Sequence, residues 1–416
     1  MAEPMTNWSG TLTYRARRVL RPRSVPELQE IVAASDRIRA IGSAHSFNDV
    51  ADTDGDLVSV GGLPPEIVID GAARTVSVAA GMRYGEIAGP LNDAGLALHN
   101  LGSLPHISVA GACATGTHGS GVGNGALPTA VVALQYVDAS GELVESTREQ
   151  ADFAGSVVAL GGLGIATRVT LAVEPAYEIR QTVYDDLPMA VLLDDFDDIM
   201  GAAYSVSVFT DWHPHDRFTQ VWQKARPDES PDAPRGARAA DGPRHPLRGM
   251  SARSCTVQGG VPGPWHLRLP HFRLEFTPSS GEEIQTEYFV ARSAAVDALR
   301  ALEPIAAEIA GVLQVSEIRS IAADDLWLSM AYGRDSVAIH FTWVKNARAV
   351  ARVVELVERA LEPFAPRPHW GKVFAAGPQA LAARYPRYDD FRELLARRDP
   401  GRVFANDFLD RCFAAR

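Results

Sequence analysis

Residues 102–121, GSLPHISVAGACATGTHGSG, are unusually dense in Gly, Ser, Thr and Ala. Small side chains allow many backbone N–H groups to approach one ligand, so such a stretch either has no structure or wraps around a large, flat ligand. It does not match the dinucleotide fingerprint, because the frames starting at Gly119 and Gly121 have Asn124 and Ala126 at the last glycine position. No segment matches the P-loop either. Binding of a nicotinamide cofactor or a nucleoside triphosphate is therefore disfavoured.

The overall composition excludes several partner classes. The 416 residues suggest two to three domains, and 46% hydrophobic residues are enough for a sizeable core. A net charge of −11 disfavours nucleic acid and anionic membrane as partners, since both require a basic face. No apolar run has the length of a membrane span, and the first ten residues do not resemble a signal peptide. Three widely spaced cysteines indicate neither a disulfide framework nor a metal site. We expect a cytoplasmic protein without a metal.

The order of strand-like and helix-like segments predicts an α+β fold. Residues 1–175 alternate short strands and helices and are expected to form one domain, with residues 376–416 returning to it. Residues 176–375 are expected to form a second α+β domain with a large antiparallel sheet. Within it, residues 226–250 are rich in Pro, Gly and Arg and are expected to be a surface excursion. The patterns predict strands at Phe272–Phe276, Gln285–Val290, Val315–Ile321 and Val337–Trp343, and helices at Ala295–Ile309 and Ala347–Leu361.

A strand at 37–41 runs into a turn of small residues with His45 at its mouth, in the order AIGSAHSFN. Small residues in such a turn let backbone donors approach a pyrophosphate. Taken alone, the same pattern also fits an ordinary turn with a hydrogen-bonded histidine. The dense loop at 102–121 favours the ligand-binding interpretation.

The second half contains polar pairs that recur with the two-residue period of a strand. Glu317 and Arg319 share one strand face, as do His340 and Thr342, and Gln285 and Glu287. If the three faces are aligned, they form a polar platform that could hydrogen-bond several hydroxyl groups; the alternative is a solvated sheet face.

Two further patterns occur in the second half of the sequence. His271, Arg273 and Glu275 also alternate, and we assign them to a solvated face. Residues 367–372, RPHWGK, combine His369, Trp370 and Lys372 in one turn and predict a site loop.

Taken together, these motifs resemble the flavoprotein family of vanillyl-alcohol-oxidase type, and within it the aldonolactone and alditol oxidase branch. The resemblance spans almost the whole chain. It rests on four motifs, which are GSAHSFN, the 103–121 loop, GGLGIAT and HWGK. It also rests on three segments of the substrate half, which are AYSVSVFTDW, VPGPWHLRLPHFR and YGRDSVAIHFTWV. The fold it implies is an FAD-binding domain of this type plus an α+β substrate domain.

The resemblance implies FAD as the cofactor, attached covalently through His45. It also assigns residues that contact the cofactor, namely Ala40, Ile41, Gly42, Ser43, Ala44, Ser46, Ser103, Ser108, Gly111, Thr115, Gly116, Thr117, His118, His369 and, at the adenosine end through its backbone, Ile165. Ala44 departs from the glycine that is also common at that position.

For the substrate side, the resemblance implies a polyol pocket formed by Ser103, Gln285, Glu317, Arg319, His340, Thr342 and Lys372. The implied reaction oxidises the terminal CH2OH of an alditol, such as xylitol or sorbitol, to the aldose. Hydride passes to flavin N5, and O2 is reduced to H2O2. The alternatives are an aldonolactone oxidase or dehydrogenase of the same family and a sugar-binding module without redox chemistry. We expect a monomer.

Overall fold

Four sheets organise the chain in a computed structural model that describes residues 5–213, 216–277 and 281–413. The strands are β1 (Arg18–Leu20), β2 (Ile38–Ile41), β3 (Asp56–Ser59), β4 (Ile67–Asp70), β5 (Thr75–Ala79), β6 (Leu96–Ala97), β7 (Val131–Val137), β8 (Leu143–Thr147), β9 (Ile165–Ala172), β10 (Glu174–Pro175), β11 (Glu178–Pro188), β12 (Ser205–Thr210), β13 (Arg217–Ala225), β14 (Arg238–Ala239), β15 (Gly263–Pro264), β16 (Glu283–Ala291), β17 (Leu313–Ile321), β18 (Ser336–Val344) and β19 (Arg367–Pro368). The helices are α1 (Val25–Ala33), α2 (Tyr84–Asp93), α3 (Val109–Ala114), α4 (Phe153–Val157), α5 (Met189–Asp194), α6 (Phe196–Met200), α7 (Ala295–Leu302), α8 (Ala306–Ala310), α9 (Ala347–Leu361), α10 (Pro378–Arg384), α11 (Tyr388–Arg398) and α12 (Asp407–Cys412).

Local sequence signals place several of these boundaries. The Ser24 side chain accepts a hydrogen bond from the Glu27 backbone N–H and caps α1, which also has Pro26 in its first turn. Gly95, with φ +73°, follows the end of α2. Gly141, with φ +86°, lies in the β7–β8 hairpin.

The first half of the chain builds three sheets over one apolar core, and the smallest of them pairs β6 with β10. Strands β1, β3 and β2 are parallel, whereas β4, β5, β9, β7 and β8 form an antiparallel sheet. Helices α10 to α12 pack into the same cluster, where Phe391 and Phe408 are buried together with Val76 and Val169. The helices at the chain end therefore contribute to the apolar core of the first half.

A nine-stranded antiparallel sheet dominates the second half, in the order β14-β11-β13-β12-β17-β18-β16-β19 with β15 paired to β11. Helices α7 and α9 cover one face, and Ile318, Ile339 and Phe341 are buried there. The opposite face of β16, β17 and β18 carries the polar side chains. The predicted α+β class and large antiparallel sheet are confirmed.

The structure differs from the sequence predictions in three places. Residues 272–276 form turns with a single bridge between Cys255 and Phe272, so the strand predicted there is wrong. The predicted helix at 295–309 is interrupted by a 3₁₀ turn at Glu303–Ile305, where Pro304 cannot donate a backbone hydrogen bond. Strands β11 to β13 were not anticipated, although they form a third of the large sheet.

Residues 226–250 pack along the edge of this sheet. Strand β14 pairs with β11, and the Arg244 guanidinium contacts the Asp185 carboxylate at 2.7 Å. The Gln220 amide donates to the carbonyl of His245 at 2.9 Å.

Among the described residues, no helix combines the length and apolar character that crossing a bilayer requires.

Candidate active site

A large cavity extends from the turn after β2 to the polar face of the nine-stranded sheet. Its wall contains most of the residues singled out by the sequence, which are Ala40, Ile41, Gly42, Ser43, Ala44, His45, Ser46, Ser103, Ser108, Gly111, Thr115, Thr117, His118, Gln285, Glu317, Arg319, His340, Thr342, His369 and Lys372. Gly116 and Ile165 do not line it. Gly116 packs against Met330, and Ile165 is fully buried in β9. Their neighbours Thr117 and Ala166 line the cavity.

The turn after β2 holds His45 at the cavity wall. Ala44 adopts a left-handed conformation with φ +57°, which explains why glycine also suits this position. The carbonyl of Ser43 lies 3.1 Å from His45 Nδ1, so Nδ1 carries the proton, and the Trp8 ring stacks on the imidazole at 4.9 Å. Burial lowers the pKa of His45 to about 4. His45 is therefore neutral, and its buried Nε2 has no hydrogen-bond partner among the described residues.

The Ser108 side chain packs closely against two glycines beside this turn. A Cβ at Gly42 would lie 2.2 Å from Ser108 Oγ, and a Cβ at Gly111 would lie 2.8 Å from the same atom. The backbone N–H of Ser108 donates to Ser43 Oγ at 3.2 Å. Two chain segments that are far apart in sequence thus form one narrow cradle of small groups, which suits a ligand bound by backbone donors.

The polar platform predicted from strand alternation is present. Gln285 pairs in register with Thr342, and both Glu287 and Glu317 pair with His340. These side chains lie on the face opposite the buried apolar side, and all of them line the cavity. The interpretation as a solvated sheet face is therefore wrong for these strands.

Glu287 is the most connected member of this platform. Its side chain is fully shielded, and its carboxylate lies 2.6 Å from Lys372 Nζ, 3.1 Å from Arg319 Nη2 and 3.2 Å from His118 Nε2. Burial alone would raise the pKa of Glu287, but Lys372, His118 and Arg319 outweigh it and hold that pKa well below its usual value. Sequence reasoning placed Glu287 on the platform without giving it a role in the site.

Glu317 is held from two sides. His271 Nε2 lies 2.8 Å from Glu317 Oε1, and Arg319 Nε lies 3.5 Å from the same oxygen. Burial would raise the pKa of Glu317, yet Arg319 and His271 lower it, so the group is a carboxylate. The assignment of His271 to a solvated face is wrong, since this residue is buried and lines the cavity. Its alternation with Arg273 was the available signal.

The remaining predicted substrate residues surround these carboxylates. Arg319 Nη1 donates to Ser103 Oγ at 3.2 Å, and Gln285 Nε2 donates to Glu283 Oε1 at 2.6 Å. Burial lowers the pKa of His340 to about 3, so its ring is neutral. Both ring nitrogens of His340 are buried without a partner among the described residues, which leaves them for a ligand.

One histidine beside the platform has a defined tautomer. His369 Nδ1 accepts the backbone N–H of Gly371 at 3.0 Å, which leaves Nε2 to carry the proton. Ligand atoms of His118, Glu287 and His369 lie within 4.8 Å of one another, as metal ligands would. A cation there would face Lys372 and Arg319, which already neutralise Glu287, so the electrostatics disfavour a metal.

Comparison with known proteins agrees with this geometry. The profile of the FAD binding domain family matches residues 16–147, and that of D-arabinono-1,4-lactone oxidase matches residues 281–412. An alditol oxidase from a Streptomyces species is 51% identical, covering 98% of this chain and 99% of its own. The L-gulono-1,4-lactone dehydrogenase of Mycobacterium tuberculosis is 30% identical and covers 99% of both chains.

Solved structures support the fold. Cholesterol oxidase from B. sterolicum superposes with a TM-score of 0.77, covering 99% of this chain and 96% of that one at 16% identity. At that identity the likeness concerns the fold alone. Together with the near full-length relatives, the observations show that the chain belongs to the FAD-binding flavoprotein family of vanillyl-alcohol-oxidase type, in its aldonolactone oxidase branch.

Proposed function

We propose that this protein oxidises the terminal CH2OH of alditols, with xylitol and sorbitol as substrates, to the corresponding aldose. One observation carries the proposal: three adjacent strands direct Gln285, Glu317, Arg319, His340 and Thr342 into the same cavity. A chain of hydroxyl groups can satisfy such a wall, whereas an apolar substrate would leave its polar groups unpaired. The likeness to a Streptomyces alditol oxidase over nearly the whole chain supports the same substrate class.

FAD fits the other end of the cavity, and we propose that His45 bonds it covalently. In the cradle formed by Gly42, Ser108 and Gly111, a Cβ on either glycine would meet Ser108 Oγ, and the loop around it offers backbone donors. A neutral His45 imidazole provides the lone pair that a covalent bond requires. When bound, the flavin supplies a hydride acceptor at N5 and transfers the electrons to O2, which gives H2O2.

The polar wall orients the substrate and stabilises charge. Glu317, as a carboxylate, accepts a hydrogen bond from a substrate hydroxyl. Lys372 and Arg319 are cations shielded from solvent, and they stabilise negative charge that develops on the reacting oxygen. His340, Gln285 and Thr342 hydrogen-bond the hydroxyls further along the chain.

A sugar lactone is the second candidate substrate. The D-arabinono-1,4-lactone oxidase profile matches residues 281–412, which include β16, β17 and β18 with their polar side chains. The mycobacterial relative named as a lactone dehydrogenase also covers the whole chain. Both substrate classes present several hydroxyl groups to the same wall.

Peroxide release in air decides between the two candidates. Purified protein is assayed with xylitol and sorbitol in one series and with sugar lactones in the other, and an artificial electron acceptor replaces O2 in a parallel series. Peroxide from polyols alone supports the proposal, and peroxide from lactones alone overturns it. Reduction of the dye without peroxide would contradict the role of O2 as acceptor.

The covalent bond has its own test. Gel filtration in denaturant separates bound from released flavin, and yellow colour that leaves the protein would contradict attachment at His45. We further propose a cytoplasmic monomer, supported by the unpaired, buried state of Cys113, Cys255 and Cys412 and by the net charge of −11. Light scattering and cell fractionation test these two points.

A further inference from the structure

The interior behind Glu317 contains two ionisable groups that the proposed reaction does not use. Lys224 lies on β13 and is 1% exposed, and His271 lies in the turn that follows Leu269. Lys224 Nζ lies 3.1 Å from His271 Nδ1, and His271 Nε2 lies 2.8 Å from Glu317 Oε1. The Leu269 carbonyl also contacts Lys224 Nζ. Three residues from separate parts of the chain thus form one continuous hydrogen-bonded line that ends at the cavity.

We propose that Lys224 and His271 are positioning residues that hold the Glu317 carboxylate in one orientation toward the substrate. The inference deepens the function proposed above and depends on it only for the identity of the substrate. It requires no chemical step at either residue.

The hydrogen-bond donors along this line follow from the chemistry of its ends. Glu317 is a carboxylate and only accepts, so the neutral His271 ring donates to it from Nε2 and accepts at Nδ1. An imidazole that accepts at Nδ1 carries its proton at Nε2, and this proton points at Glu317. Lys224 is therefore the donor to His271 Nδ1, and it can donate there and to the Leu269 carbonyl whether its nitrogen is an ammonium or an amine.

The surroundings indicate that this line is not a packing feature. His271 is enclosed by the rings of Phe209 and Trp222, at centroid distances of 5.6 and 5.0 Å, within an apolar cluster. Burial lowers the pKa of His271 to about 4 and that of Lys224 to about 7, which shows that charging either group in this interior costs free energy. Methionine or phenylalanine would fill the same space without that cost.

The orientation of Glu317 is what this line provides. One carboxylate oxygen, Oε1, is occupied by His271 and lies 3.5 Å from Arg319 Nε. The ion pairs seen among the described residues all involve Oε1, and we assign Oε2 to a substrate hydroxyl. Without His271 the carboxylate can rotate toward Arg319, and a misplaced group of this kind costs about 100-fold in rate.

The first test reads the His271 ring directly, and it does not depend on the substrate. Protein carrying ¹⁵N-histidine is examined by long-range ¹⁵N–¹H correlation, and the His271→Gln variant identifies the His271 signals by difference. We expect a neutral ring protonated at Nε2 from pH 5.5 to 8.5, and a shifted Nδ1 signal in Lys224→Met, which removes the donor to that nitrogen. A ring protonated at Nδ1, or a ring unaffected by Lys224→Met, would overturn the inference.

The second test uses conservative rescue. Gln at position 271 can accept from Lys224 and donate to Glu317, whereas Phe can do neither. We expect kcat/KM for the best polyol to fall about 100-fold in His271→Phe and to stay within about threefold in His271→Gln, with equal flavin content in both variants. Equal losses in the two variants would contradict a positioning role. If the wild-type enzyme oxidises no polyol, the proposed function fails, and the ¹⁵N spectra still decide on the hydrogen-bonded line.

Discussion

Lys372 Nζ lies 2.6 Å from Glu287 Oε2, and the carboxylate of this pair is completely shielded from solvent. The same carboxylate also contacts Arg319 at 3.1 Å. The cations that face the proposed reacting oxygen are therefore held in place by a group that need not touch the substrate. Lys372 comes from the HWGK loop and Glu287 from β16, so the pair also fixes this loop to the sheet.

Glu287→Gln is expected to lower the free energy of unfolding by about 3–5 kcal/mol, because it leaves Lys372 without a buried counter-charge and Arg319 with Glu317 alone. The amide keeps the shape of the side chain, so the effect reports the charge. Urea unfolding of the flavin-loaded protein, followed by far-UV circular dichroism, measures the change. Asp297→Asn is the control, since Asp297 is a well-exposed residue 3.8 Å from Arg300 and the change should cost less than about 1 kcal/mol. Similar midpoints for the two variants would contradict the central position of Glu287.

Lys372→Met is expected to reduce kcat/KM for polyols by about 100- to 1,000-fold while flavin stays bound, because it removes a shielded cation from the reacting oxygen. The measurement is the rate of peroxide formation at several xylitol concentrations, normalised to flavin absorbance. Lys345→Met is the matched control, as Lys345 is exposed just after β18. Near wild-type turnover in Lys372→Met would remove this residue from the site.

Gly42→Ala is expected to reduce the ratio of flavin to protein at least tenfold, because its Cβ would lie 2.2 Å from Ser108 Oγ in the proposed pyrophosphate cradle. Absorbance at 280 nm and at the flavin maximum gives this ratio after purification. Gly89→Ala serves as the control: no atom of the part of the chain that the structure describes lies within 4 Å of its added Cβ, and alanine suits a helix better than glycine. Full flavin content in Gly42→Ala would show that Ser108 can move aside.

The polar wall could be predicted because strand geometry is strictly periodic. Counting every second residue placed Glu317 with Arg319 and His340 with Thr342, and the hydrogen-bond register then brought the pairs together. The turn around His45 was equally accessible, since only small residues tolerate such close backbone approach.

The parts that were missed depend on contacts across the fold. His271 was assigned to solvent because its alternation with Arg273 resembles an exposed strand, yet this segment forms turns that direct His271 at Glu317. The central role of Glu287 depends on Lys372, which is 85 residues away in sequence. No local pattern encodes such a pairing. Lys224 likewise gives no sequence signal, because a lysine in a strand is ordinarily exposed.

The stacking of Trp8 on His45 leads to a prediction about covalent flavin attachment. The Trp8 backbone N–H donates to the Ala44 carbonyl at 2.8 Å, and the two rings are inclined by only 19°. Aromatic pairs of this kind contribute about 0.5–1.5 kcal/mol, so Trp8→Ala should slow the attachment about 3- to 10-fold by freeing the imidazole. Trp8→Phe keeps a stacking ring and should attach flavin at nearly the wild-type rate. Flavin-free protein is incubated with FAD, and the fluorescence retained in denaturing gels is followed over time. Equal rates for the Ala and Phe variants would show that the stacked ring does not orient His45.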